Sequence, residues 1–169
     1  MIAPHIDVIV ADDKDNAREI VTRILQLAGV KNVRHAVDGS HAWVLIKAQR
    51  PDVLILDLEM PWDGATTLRH IRASLDPQIQ QLPVVMMTAD ATRGNLEKMR
   101  DAGATEIVAK PLTPDALLAR LEAALVQRRD YIATPHFTGP DRRRTARPAY
   151  EGPRRRAADL LDGDTLKLT

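Results

Sequence analysis

An α/β fold, a five-stranded parallel sheet doubly wound by helices on both faces, is predicted by two features of the sequence. Short apolar runs alternate strictly with segments whose apolar residues recur at spacings of three and four. The runs are nearly continuous rather than alternating, which marks strands buried on both faces. A third feature concerns where the runs stop. Four of the five end in residues that carry chemistry: Asp12-Asp13, Asp57, Thr88 and Lys110.

The first run is Ile6 to Ala11, broken only by Asp7. From Asp15 to Ala28 the residues Ala17, Ile20, Val21, Ile24, Leu25 and Ala28 make one apolar helix face, and Gly29 closes it. Val33 to Val37 is a second strand. Asp38-Gly39-Ser40 leads into a helix from His41 to Gln49, which Arg50-Pro51 ends. Pro51-Asp52-Val53-Leu54-Ile55-Leu56-Asp57 carries the central strand, and a helix over about Ala65 to Leu75 follows. Val84 to Met87 is the fourth strand. A polar helix from about Ala91 to Asp101 stops at Gly103, and Thr105 to Ala109 is the fifth strand. Thr113-Pro114-Asp115 offers an N-cap with proline at the first helical position, opening a last helix to about Arg129.

Hydrophobic residues make up 44% of the 169 and aromatics only 3%, so the core is aliphatic. The absence of cysteine excludes disulfides and thiolate chemistry. No apolar run approaches the ~20 residues that cross a bilayer, and a soluble, cytoplasmic protein without membrane insertion is expected. The five histidines show no metal-ligand spacing, and Trp43 and Trp62 are read as packing residues.

In a parallel sheet of this kind the crevice lies outside the carboxyl ends of the strands. Asp12, Asp13, Asp57, Thr88 and Lys110 therefore share one rim. Three crowded carboxylates repel unless a cation joins them, and an all-oxygen set suits Mg2+. A carboxylate beside Mg2+, a lysine and a hydroxyl can attack a phosphoryl group while its neighbours neutralise the equatorial oxygens.

Over residues 5 to 130 the chain resembles the receiver domain of two-component response regulators, a flavodoxin-like fold. Asp12-Asp13, Asp57 followed by Met60-Pro61, Thr88-Ala89 and Lys110-Pro111 carry the resemblance. It implies that Asp57 accepts phosphate from a histidine kinase. Asp12, Asp13 and Asp57, with the backbone carbonyl of Glu59, would hold Mg2+, while Thr88 and Lys110 bind phosphoryl oxygens. It also implies a cis Lys110-Pro111 bond. Two departures stand out. Ile107 occupies the place where receivers usually carry the aromatic that couples phosphorylation to the output face. The loop Met60-Pro61-Trp62-Asp63-Gly64 is one residue shorter than the common form.

The charge is divided unevenly. Residues 1 to 133, expected to form the receiver, hold 16 Lys and Arg against 18 Asp and Glu; residues 134 to 169 hold 8 against 5. This second part is read as an arginine-rich tail, disordered or folding on binding. It contains a repeat. Phe137-Thr138-Gly139-Pro140-Asp141-Arg142-Arg143-Arg144 returns as Tyr150-Glu151-Gly152-Pro153-Arg154-Arg155-Arg156, each copy an aromatic, a Gly-Pro turn and an arginine cluster. Arginine forks match the O6 and N7 edge of guanine and phosphate oxygens alike, and Arg156-Ala157-Ala158-Asp159 has the spacing of an element reading both guanine edges. Receiver plus tail looks like the CheY-like cyclic di-GMP effectors that act on the flagellar motor, on the strength of residues 147 to 156. That resemblance implies a non-enzymatic signalling protein whose Arg143, Arg147, Tyr150, Arg154, Arg155, Arg156 and Asp159 bind cyclic di-GMP before the complex docks on the motor switch. The alternatives are a stand-alone phosphoreceiver modified on Asp57, and a nucleic-acid-binding regulator using the tail as an electrostatic clamp.

Overall fold

The structure is a computed structural model that describes residues 2–126, 130–141 and 166–168, the last by backbone alone. Five strands, β1 (Asp7–Ala11), β2 (Asn32–Ala36), β3 (Val53–Asp57), β4 (Val84–Thr88) and β5 (Glu106–Ala109), form one sheet in the order β2-β1-β3-β4-β5. Every pairing is parallel. The helices are α1 (Asp15–Leu27), α2 (Gly39–Ala48), α3 (Gly64–Arg72), the short α4 (Pro77–Gln80), α5 (Arg93–Ala102) and α6 (Pro114–Val126).

Alternate residues of each central strand point to opposite faces, and the core divides accordingly. Val8, Val10, Val53, Ile55, Val85 and Met87 pack on one side with residues of α1 and α6. Ile9, Leu54, Leu56, Val84 and Met86 pack on the other with residues of α2, α3 and α5. All five residues of β3 are buried, and so are all five of β4. Each buried Leu or Ile contributes about 1.5–3 kcal/mol, so these two strands fix the sheet and everything at their ends.

Helix boundaries follow local chemistry. Asp38, Asp63 and Thr92 cap α2, α3 and α5 by accepting from backbone amides two or three residues into each helix. Thr113 accepts from the Ala116 amide at 3.3 Å, the cap expected from the Thr-Pro-Asp signal. One expectation is corrected here. The helix expected over about Ala65 to Leu75 ends at Arg72, and a short second helix lies beyond it, where Asp76 caps a new turn with Pro77 at its first position.

A second correction concerns the first Gly-Pro of the repeat. β6 (Tyr131–Thr134), β7 (Phe137–Pro140) and β8 (Leu166–Leu168) make an antiparallel sheet in the order β7-β6-β8. β6 crosses the division at residues 133 and 134, and Gly139-Pro140, read from sequence as a turn, lies in β7 with Pro140 opposite Tyr131. β7 is an edge strand, where a missing N–H costs no ladder bond.

The hairpin of β6 and β7 is fastened to the sheet by a buried arginine. Arg72, at the end of α3, is 3% exposed and has no carboxylate partner among the described residues. Its guanidinium donates instead to the carbonyls of Gly103 (3.1 and 2.9 Å), Gln80 (2.8 Å) and Leu82 (2.8 Å). Tyr131 lies over it at 5.6 Å and donates its hydroxyl to the same Gln80 carbonyl at 2.5 Å. Burial lowers the Arg72 pKa to about 10, which leaves it charged at neutral pH, and pushes Tyr131 up to about 12. Gly103 caps α5 in the left-handed region (φ 98°), and a Cβ on it would meet the Thr138 carbonyl at 2.7 Å. A Cβ on Gly139 would meet the Gly103 Cα at 2.9 Å. Two glycines therefore let the hairpin backbone touch the end of α5.

This clamp predicts a graded loss of stability on urea denaturation. Tyr131→Phe removes one hydrogen bond and costs about 1 kcal/mol. Arg72→Ala strips donors from buried carbonyls and opens a cavity, costing about 3–5 kcal/mol.

Candidate functional site

The carboxyl ends of β1, β3, β4 and β5 lie side by side, and each delivers one group to the rim. Asp12 follows β1 and is fully buried, as is Thr88 at the end of β4; Asp57 ends β3 and is 2% exposed. Asp13 is exposed. The carboxylate oxygens of Asp12, Asp13 and Asp57 lie within 4.8 Å of one another. Lys110, one residue beyond β5, reaches both buried carboxylates, at 2.8 Å to Asp12 Oδ2 and 2.9 Å to Asp57 Oδ1. Its peptide bond to Pro111 is cis, as the resemblance implied.

Local structure holds Asp12 rigidly. Its Oδ1 accepts from the Lys14 amide at 3.0 Å, and its backbone carbonyl accepts from Arg18 Nη1 at 2.6 Å. Arg18 is 7% exposed and also pairs with Asp15. Sequence reading passed over Arg18, although it stands three and seven residues before the buried Val21 and Leu25 and so on the buried side of α1. Behind Asp57, the short loop doubles back tightly. The Gly64 amide donates to the Leu58 carbonyl at 3.0 Å, and a Cβ on Gly64 would lie 2.1 Å from the Asp57 carbonyl. Asp63 both caps α3 and pairs with Lys98 of α5 at 3.1 Å.

The electrostatics follow from burial. Desolvation raises Asp57 from its ordinary 3.8 to about 6; contact with Lys110 opposes the rise, and the charges of Asp12 and then Glu59 add to it. Burial acts to lower Lys110, but its contacts with Asp12 and Asp57 outweigh that and raise it. The Lys110–Asp57 contact has hydrogen-bond length but not the alignment of a directed bond. Asp57 Oδ1 is thus a buried oxygen without an aligned donor among the described residues. Two buried carboxylates, a third close by and one lysine leave an excess of negative charge. An orphaned oxygen in an all-oxygen cluster is what a hard divalent cation fits.

Thr88 reaches the same rim from β4, but its hydroxyl is turned to Glu59. It donates to Glu59 Oε1 at 2.7 Å or to the Asp90 carbonyl at 2.9 Å. The Ala89 amide donates to Glu59 Oε2 at 3.3 Å. Only the backbone carbonyl of Glu59 figured in the sequence expectation; nothing in one sequence marks its side chain. Ile107 is half-buried and lines an open groove between α5 and α6, with Arg100, Arg120 and Pro140 on its walls. Trp43 meets His70 edge-on at 4.5 Å, with Trp62 at 6.4 Å from the same ring, which accords with packing. Arg143, Arg147, Tyr150, Arg154, Arg155, Arg156 and Asp159 lie outside the described residues. Among the described residues no helix is long and apolar enough to cross a membrane.

The family model for the response regulator receiver domain matches residues 8–122. The chemotaxis protein CheY of Pseudomonas aeruginosa is 33% identical over 116 residues, covering 68% of this chain and 92% of that protein. The crystal structure of the Vibrio cholerae chemotaxis protein CheY4 superposes with a TM-score of 0.66 at 30% identity, covering 72% of this chain and 99% of that one. The receiver domain of a Pseudomonas aeruginosa sensor histidine kinase, solved with a magnesium ion in its active-site cleft, gives a TM-score of 0.65 at 25% identity, covering 72% and 98%.

The raised Asp57 pKa has a signed consequence for stability. In metal-free buffer the unfolded chain releases this proton near pH 4 and the folded one near pH 6, so ionising Asp57 in the fold costs up to about 3 kcal/mol, in full above pH 6. Asp57→Asn is expected to be more stable than the unaltered protein above pH 6, and the gain is expected to vanish below pH 4, as urea midpoints across that range will show.

Proposed function

The chain belongs to the response regulator receiver family, and from that premise we propose that it is a phosphoacceptor whose nucleophile is Asp57. The observation that supports this reading is the ion-paired rim: Asp57, buried, held 2.9 Å from Lys110 and beside two further carboxylates. At neutral pH a group with a pKa of about 6 is mostly ionised and able to attack. An oxygen of Asp57 bonds to the phosphorus of a phosphohistidine as the P–N bond breaks, and the departing imidazole takes a proton. Lys110 orients the carboxylate beforehand and then offers its charge to the transferred oxygens. Thr88 offers a hydroxyl to the same group from the neighbouring strand.

Asp12, Asp13 and Asp57, with the backbone carbonyl of Glu59, would hold Mg2+. When bound, that ion supplies charge neutralisation at the phosphoryl oxygens. The natural donor for this chemistry is a histidine kinase, and a chemotaxis relative suggests a motor-switch protein as a docking partner.

Incubation with a small phosphodonor and Mg2+, read by intact-protein mass spectrometry, tests the assignment. The unaltered protein is expected to gain one phosphoryl group and Asp57→Asn none. Asp13→Asn is expected to slow labelling at least tenfold at fixed Mg2+, because a cation ligand of this kind is worth more than one charge-assisted contact.

A second reading rests on the arginine clusters Arg142 to Arg144 and Arg154 to Arg156. They support cyclic di-GMP as a ligand, bound through Arg143, Arg147, Tyr150, Arg154, Arg155, Arg156 and Asp159, with nucleotide binding preceding the docking step. Truncation after Ala133 would cut through β6, so the test keeps the full chain. Calorimetry at physiological salt is expected to show micromolar or tighter saturable binding, lost in the variant with Arg154, Arg155 and Arg156 all changed to alanine. Heat no greater than GMP gives would remove this reading and leave the phosphoacceptor standing.

A further inference from the structure

The Glu59 carboxylate lies where an anion is wanted for another purpose. It is planar, carries two oxygens, and spans two donors: the Thr88 hydroxyl at 2.7 Å and the Ala89 amide at 3.3 Å. The hydroxyl belongs to a fully buried residue at the end of β4, and its only other acceptor among the described contacts is the Asp90 carbonyl at 2.9 Å. Glu59 itself is exposed and two residues beyond Asp57, with no cation paired to it among the described ion pairs. What holds it on Thr88 and Ala89 is therefore those two donors. Thr88 ends the strand beside β3 and Ala89 follows it, and the register sets Asp57 opposite Met87, one residue before Thr88.

We propose that Glu59 is a built-in competitor for the phosphoryl site, its carboxylate occupying the Thr88 hydroxyl and the Ala89 amide until a phosphoryl group displaces it. This rests on the reading of Asp57 as phosphoacceptor and adds what sets its readiness. Two anions cannot share one hydroxyl donor, so uptake at Asp57 and retention of Glu59 exclude each other. Glu59 also adds negative charge near Asp57, where the incoming group brings more. The side chain thus holds the acceptor below its full affinity. Its backbone carbonyl, a ligand in the cation set, is untouched by changing the side chain.

The test uses beryllium fluoride, a non-transferable phosphoryl analogue, titrated with Mg2+ into the full chain and followed by amide NMR at Ala89. Glu59→Ala is expected to bind about tenfold more tightly than the unaltered protein, the worth of one charge-assisted hydrogen bond. Glu59→Gln, which keeps the length and removes the charge, is expected to move in the same direction, and both variants should retain the thermal midpoint. A side chain that merely supports the loop would weaken the analogue when removed. Equal or weaker binding in both variants, with Asp57→Asn abolishing it, overturns the competition and leaves the phosphoacceptor reading intact. No uptake by any of these proteins overturns both.

Discussion

The site depends on one ammonium group. Lys110 lies between Asp12 and Asp57, 98 residues from the first, at 2.8 and 2.9 Å. Burial and the charge of Asp12 both work against ionising Asp57, and Lys110 opposes them. With it, the rise of the Asp57 pKa stops at about 6, which leaves the carboxylate mostly ionised at neutral pH. The sheet order explains why a single lysine can do this. β3 sits in the middle with β1 and β4 on either side, so the end of β5 is only two strands from Asp57. What the lysine does not neutralise, Asp13 compounds, and that residual charge makes the rim a cation site.

The sheet and its rim were legible because both are written in local pattern. Continuous apolar runs such as Val53 to Leu56 can be little else than strands buried on both faces, and their order puts Asp12, Asp57, Thr88 and Lys110 on one edge. The C-terminal sheet was not legible, and the reason is particular. Gly139-Pro140 is a turn signal, yet proline is tolerated in β7 because that strand is an edge, and Gly139 is needed for contact with Gly103, 36 positions earlier. Arg72 has the look of an exposed residue in the last turn of an amphipathic helix. Its partners, Gln80, Leu82 and Gly103, are backbone carbonyls, which carry no side-chain signature.

With Ile rather than an aromatic at 107, hydrogen bonds leave Thr88 by another route. Thr88 is bonded to Asp90 in both directions, its hydroxyl donating to the carbonyl at 2.9 Å and accepting from the amide at 3.1 Å. The Asp90 carbonyl and carboxylate in turn accept from Asn95 Nδ2, in the first turns of α5, at 2.9 and 3.3 Å. Hydrogen bonds therefore join the Thr88 hydroxyl to the start of α5 without passing through position 107. Lys98, one turn further along, pairs with Asp63 on the loop after Asp57. The helix is tied to the rim twice.

Its other end is tied to the C-terminal sheet. Gly103 closes α5 and meets Thr138 and Gly139 of β7, while its carbonyl holds the guanidinium that Tyr131 covers. α5 has ten residues, about 15 Å of rigid rod. It runs from the loop that follows Thr88 to the hairpin of β6 and β7. Contiguity alone does not couple two sites; a bistable element between them does. The Thr88 hydroxyl has one proton and two acceptors within reach, Glu59 at 2.7 Å and the Asp90 carbonyl at 2.9 Å, so it serves one of them at a time. The Asp90 carbonyl also takes the Asn95 side-chain amide at 2.9 Å, so this choice is made at the end of the rod opposite Gly139.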